Sequence, residues 1–212
     1  MLSEASAATP LLAAAIGAAA ALLGTGLSFG RDWYVQRLKD GEQRTFVALR
    51  LAADLEDFAI RCALAAGDHG EPEIKSHGQE QYVVRHSTPD FKFDYSAYEW
   101  RLVPKDLLMR ILELPHLAQR AHAYLDGVSE FVADPPFYEE FFQARSLRFG
   151  RLGLRALDLA RDLRTRHGAS PSISPLDPDD DYDLRDHLEN ILGDVQKSQG
   201  YHRAPMAGRT PT

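Results

Sequence analysis

Glu113 and His116 stand three residues apart in the segment ILELPH, the spacing that in di-iron helical bundles aims a carboxylate and an imidazole at one metal. Such a centre needs a second E-x-x-H copy and two further glutamates. The chain has no second copy, and Pro115 lies inside this one, where it removes a backbone donor and disturbs the helical register. His69, His77 and His86 offer three more imidazoles, but their spacings of eight and nine residues match no closed zinc motif and no cysteine accompanies them. Asp177, Asp179, Asp181 and Asp183 alternate like the first positions of a calcium loop. The sixth position is Tyr182 instead of glycine, Pro178 stiffens the second, and the twelfth is Leu188 instead of glutamate. The histidines therefore read as solvated loop residues and the aspartates as an acidic linker, and neither a metal nor a cofactor is expected.

Cys62 is the one cysteine, so no intramolecular disulfide can form, which agrees with a reducing compartment. Leu55, Phe58, Ala59 and Ala66 share its helical face, which makes it a small core residue and not a reactive thiol. A nucleophile, a base and an oxyanion-type donor are not legible as a cluster, so the chain reads as a non-enzyme. A pocket built around His116, His122 or Asp126 is what would reverse that reading.

Arg145, Arg148, Arg151, Arg155, Arg161 and Arg164 make one segment locally basic in a chain of formal net charge −7. Glu139, Glu140, Asp158 and Asp162 are near enough to offset part of that charge at helical spacings of three or four. The run reads first as a solvated face. As an interaction surface, Arg148, Arg151 and Arg155 would meet an anionic lipid leaflet or an acidic protein. The acidic balance of the whole speaks against nucleic acid.

The elements that carry these residues follow from periodicity. Val47, Leu51, Leu55, Phe58, Cys62 and Ala65 define a first helix that Gly67, Gly70 and Pro72 stop. Residues 68–88 read as a polar loop, with Tyr82–Arg85 as the one candidate strand. Phe91, Phe93, Tyr95, Tyr98 and Trp100 read as an irregular aromatic segment laid over the helices. A second helix starts at Pro104 and carries the stripe Leu108, Ile111, Ala118, Ala121, Leu125, Val128 and Val132, with a kink or break expected near Leu114. A third runs from about Phe137 to His167. Its small residues Gly150, Gly153, Ala156 and Ala160 are expected to seat the first helix, lined by Ala52, Ala59, Ala63 and Ala66. Leu184, Leu188, Ile191, Leu192 and Val195 define a short amphipathic helix with Asp183 as its N-cap.

Ahead of these helices, Leu11 to Phe29 contains no charged residue. At the helical rise it covers about 28 Å, close to the hydrocarbon thickness a spanning helix must match. Arg31, Arg37, Lys39 and Arg44 follow it and no Lys or Arg precedes it, which orients the N-terminus outside and the remainder in the cytoplasm. Trp33 and Tyr34 suit the interfacial aromatic belt. Ala13, Gly17, Ala20 and Gly24 recur along one face of the span, a small-residue seam through which two copies could form a homodimer.

The span, Trp100 followed by Pro104, ILELPH at 111–116 and FGRLGLRALDLARDLRTRHG at 149–168 together resemble a family of uncharacterised single-span bacterial membrane proteins with a helical cytoplasmic domain. That resemblance implies an inner-membrane anchor and a helical body, and no active site. The sequence thus describes an all-α chain. Residues 1–10 are extracytoplasmic and 11–30 form the transmembrane helix. A cytoplasmic antiparallel three-helix bundle fills 31–168, a Pro/Asp-rich linker 169–183, a short helix 184–198 and a disordered tail 199–212. Its function reads as a membrane-anchored interaction or scaffold module, with a structural or oligomerising membrane component, or an enzyme whose site is not visible in the sequence, as the alternatives.

Overall fold

The computed structural model describes residues 36–203 apart from 38, 76–77, 93, 95 and 172–181. The expected span at 11–30 with its seam Ala13, Gly17, Ala20 and Gly24, and the homodimer built on it, lie outside the described residues, as do Phe93, Tyr95, most of the linker and the last nine residues. Among the described residues no helix is long and apolar enough to cross a membrane. The chain divides into two compact units, Met1–Phe46 and Val47–Thr212. Within the first, the described residues are helical, and Thr45 Oγ1 donates to the Gly41 carbonyl at 3.1 Å.

The second unit is mainly helical. Helix α1 covers residues 47–66 of this unit. Its stripe Leu51, Leu55, Phe58, Cys62 and Ala65 is fully buried. The helix closes where the Gly67 amide donates to the Ala63 carbonyl at 2.8 Å.

The segment after it is not a plain loop. Strand β1, Glu71–Ile74, pairs antiparallel with β2, Glu80–Val83, with Glu71 opposite Val83 and Ile74 opposite Glu80. The turn is held by the Lys75 amide donating to Gln79 O at 3.0 Å and the Gly78 amide to Lys75 O at 2.8 Å. Gly78 adopts φ +75°, a left-handed conformation open to glycine. The expected strand at Tyr82–Arg85 is therefore the second half of a hairpin and is shifted toward the N-terminus. Its mate is not legible in the sequence because Glu71, Pro72 and Glu73 give no apolar alternation.

The aromatic segment then returns along α1, as the sequence suggests. Phe91 is buried with its ring 4.3 Å from that of Phe58, and buried Tyr98 donates its hydroxyl to Asp54. A 3-10 turn, Trp100–Leu102, delivers the chain to α2, Lys105–Phe131. This helix continues through Pro115 without interruption, so the expected break does not occur. The ring faces partly outward while Ile111, Leu114 and Ala118 stay buried around it.

Helix α3, Glu139–Arg166, starts after a turn at Pro135–Phe137. It ends where the Ala169 amide donates to Arg164 O at 3.0 Å and Gly168 takes φ +71°, the left-handed glycine cap that closes many helices.

Helix α4, Leu184–Arg203, begins on the expected cap, with Asp183 Oδ1 accepting the Arg185 amide at 2.7 Å. It runs past Lys197, so residues 199–203 are helical where a disordered tail was expected.

Cross-helix bonds fix the direction of each helix. Arg166 pairs with Asp106 and Arg110 with Asp162, so α2 and α3 are antiparallel. Glu56 receives both Arg164 Nε and Nη2 at 2.7 Å, and Ser146 Oγ donates to Ala66 O at 2.6 Å, so α1 and α3 are antiparallel too. Helices α1 and α2 are consequently parallel to each other. The hairpin and aromatic segment carry the chain back along the bundle between them, which an up-down-up reading does not contain.

The small-residue strip of α3 meets α1, as expected, and seats α4 besides. A Cβ on Gly150 would come 2.9 Å from Leu192 Cδ2, and one on Gly153 would come 2.9 Å from Leu188 Cδ1 and 3.1 Å from Cys62 Cβ. The two glycines seat α4, and Gly153 alone of the pair also meets α1.

Candidate functional site

Two places gather polar side chains on this frame. The first is built where α1 ends. Asp68 follows Gly67, so its carboxylate faces back across the helix terminus. There Oδ1 accepts the Gly70 amide at 2.9 Å and Oδ2 accepts the Arg85 and His86 amides, both at 2.8 Å. Arg145 Nη1 of α3 donates to the same Oδ2 at 2.7 Å, and its Nη2 donates to the His86 carbonyl.

Both side chains are buried, Arg145 at 0% exposure and Asp68 at 2%. Burial alone pushes the Asp68 carboxyl up. The His86 amide, the Arg145 guanidinium and the Gly70 and Arg85 amides outweigh it and hold it at about 2. Arg145 Nε is buried with no hydrogen-bond partner. The sequence placed Arg145 on a solvated face. Instead it ties α3 to the end of α1 and to the exit of the hairpin, because its position continues the inward arc of Phe142, Phe149 and Leu152.

Around this pair lies a cleft of about 430 Å³ lined by His69, His86, His187, Arg85, Tyr182 and the apolar Ile60 and Leu64, among others. Two of the three loop histidines thus come together with His187 of α4, which sequence reasoning did not single out, while His77 lies outside the described residues. Among the described residues no group of three His, Cys, Asp or Glu side chains could hold a metal ion. Glu71 and Arg85 form an exposed pair at 3.1 Å across the hairpin, which leaves the Arg85 charge compensated.

The E-x-x-H pair is separated by function. Glu113 accepts from Arg155 Nη2 across the α2–α3 seam, and His116 is exposed. Asp126 is exposed as well. His122 is half-buried against the Phe149 ring, with Nδ1 3.2 Å from Thr88 Oγ1 and Nε2 3.3 Å from Pro89 O. It pins the loop that follows the hairpin to α2.

The second place is the outer seam of α2 and α3, which holds the arginines singled out as an interaction surface. They divide into three kinds. Arg155 is paired with Glu113. Arg148 stacks its guanidinium over the Tyr124 ring at 4.0 Å, a cation–π arrangement that keeps the charge uncompensated. Arg151 is exposed and, like Arg120 on the facing helix, has no acidic partner among the described residues. Below them a groove of about 280 Å³ is lined by Tyr124, Val128, Val132, Leu147, Arg148 and Arg151, with Glu140 among the rest. Val132 at 56% exposure and Phe131 at 78% leave apolar surface open at that end of α2.

No protein-family model matches the chain, and neither curated proteins nor solved structures yield a similar one.

Proposed function

We propose that the chain is a membrane-anchored interaction module. Residues 11–30 are its single span in the inner membrane, and the helical unit acts as a cytoplasmic scaffold for a protein partner. The observation that carries the reading is the α2–α3 seam. In a chain of net charge −7, Arg148 and Arg151 stay without acidic partners among the described residues beside an open groove of mixed polar and apolar lining. Elsewhere in this unit most buried or half-buried arginines are neutralised, Arg145 by Asp68, Arg164 by Glu56 and Arg185 by Asp158. Uncompensated cations on the same groove as the exposed Val132 suit an acidic partner surface better than they suit water.

The anchoring half rests on the charge-free segment, the arginines that follow it and the resemblance of the whole to single-span bacterial membrane proteins. Trp33 and Tyr34 would then meet the headgroup level.

Fractionation tests location and topology together. The full-length chain tagged after Thr212 is expected to stay with membranes through alkaline extraction, and a version lacking residues 1–30 is expected to be released. The tag should be protected from protease in intact cells and cut only after the inner membrane is opened. Release of the full-length chain at alkaline pH, or cleavage of the tag in intact cells, would overturn the anchored reading or its orientation.

A further inference from the structure

The groove between α2 and α3 carries charge of opposite sign at its two ends. Arg148 and Arg151 stand at one end, and Glu140 lines the other, eight to eleven residues away along α3. That separation is about 12 to 16 Å, or two to three turns of a helix. Between them the lining mixes the polar Gln143 with apolar side chains, Val128 and Ala144 buried, Leu147 half-buried and Val132 open.

From this we infer that the seam is a docking groove for one amphipathic helix of a partner protein, about three turns long. Its apolar face lies on Val128, Val132 and Leu147, its acidic end meets Arg148 and Arg151, and a neutral or basic residue stands beside Glu140. The inference rests on the interaction-module reading and names the chemistry of its partner.

Charge complementarity selects a helix over a lipid leaflet. An anionic leaflet is flat and uniformly negative, so it would press like charge against Glu140 and leave the groove with its open Val132 unfilled. A helix with segregated charge satisfies both ends, and its leucines fill the groove at i, i+3, i+4 and i+7 spacing. The stacking of Arg148 on Tyr124 holds one guanidinium in place before binding, which lowers the ordering cost of the contact.

The test uses the full chain in phosphatidylcholine nanodiscs and three fluorescent peptides of about 14 residues. One has a leucine stripe with glutamates at one end and a lysine at the other, one has the same composition scrambled, and one has lysines in place of the glutamates. Fluorescence anisotropy should show the acidic peptide binding at least tenfold tighter than the scrambled one. Arg151→Glu should lose at least tenfold of that affinity and gain the lysine peptide. Arg151 is exposed and unpaired among the described residues, so its reversal leaves the fold intact. Val132→Glu, at another exposed position, should weaken all leucine-striped peptides alike.

Equal binding of the acidic and scrambled peptides, or an unchanged affinity in Arg151→Glu, would overturn the groove. So would displacement of the acidic peptide by phosphatidylglycerol vesicles, which would assign the face to lipid. A protein that still co-purifies with the chain after a failed peptide test removes the groove alone. The absence of any co-purifying protein removes the module reading beneath it.

Discussion

Replacing Asp68 by alanine should destabilise the helical unit by about 3–5 kcal/mol, because it leaves the Arg145 guanidinium buried without its counter-charge. Three backbone amides, those of Gly70, Arg85 and His86, lose their acceptor in the same step. Against a typical total of about 5–15 kcal/mol, the variant would stand close to the limit of stability. Arg145→Met should cost a comparable amount, since the Asp68 carboxylate is then buried with backbone partners only. The double variant should cost less than the two singles together, with a coupling of about 1–3 kcal/mol, because neither charge is left alone. Denaturant unfolding of the four chains measures this cycle. Losses below 1 kcal/mol for both singles would show that the pair is not a structural tie.

The same carboxylate gives a signed dependence on pH. Its value in the fold, about 2, lies below the ordinary 3.8. The stabilisation is therefore fully present above about pH 4 and is lost as pH falls through 2. The difference corresponds to about 2 kcal/mol. Unfolding free energy followed between pH 5 and pH 2 should fall more steeply in the natural chain than in Asp68→Asn, where this contribution is missing throughout.

Gly153→Val should loosen the packing of α4 and make the Cys62 thiol reactive. Even one carbon at that position would stand 2.9 Å from Leu188 Cδ1 and 3.1 Å from Cys62 Cβ. Leu188 is fully buried, so its side chain has to give way within the packed core. Overpacking of this kind costs about 1–3 kcal/mol. In the natural chain, burial pushes the Cys62 thiol well above the ordinary cysteine range, against a smaller opposing effect of the Arg61 charge. The thiol should therefore react only through local opening. A loss of about 1.4–3 kcal/mol in the docking of α4 raises the open population, and with it the labelling rate, by about 10- to 100-fold. Alkylation kinetics under native conditions would register that rise. An unchanged rate would mean that α4 does not cover the thiol.

Much of this fold was legible because helices announce themselves by period. The stripe from Leu51 to Ala65, the stripe of α2 from Ile111 to Val128 and the cap at Asp183 fall where their spacing puts them, while Val132, expected to end the α2 stripe, is exposed at the helix cap. The direction of α2 did not follow, since it depends on a hairpin whose strands carry glutamates where apolar residues would signal a sheet. Arg145 was misplaced because its charge outweighed its position. Phe142 and Phe149, three and four residues away, were the signal that it points inward. The strip with Gly150 and Gly153 foretold the close approach that Gly153 makes to α1, but a small-residue strip gives no sign that a second helix, α4, shares it. His187 offered no signal at all, as nothing in sequence links α4 to His69 and His86. In the basic surface, Arg148 and Arg151 stand exposed, and Arg155 pairs with Glu113, a partner 42 positions distant that local charge pairing cannot foresee.

The interaction reading is tested most directly by purifying the tagged full-length chain from detergent-solubilised membranes beside two others, one lacking residues 1–30 and one carrying Arg151→Glu, and measuring the stoichiometry of what accompanies each. One protein near equal stoichiometry on the first two and depleted at least tenfold on the third is the expected result. A chain that carries no stoichiometric protein in either of the first two forms would contradict it.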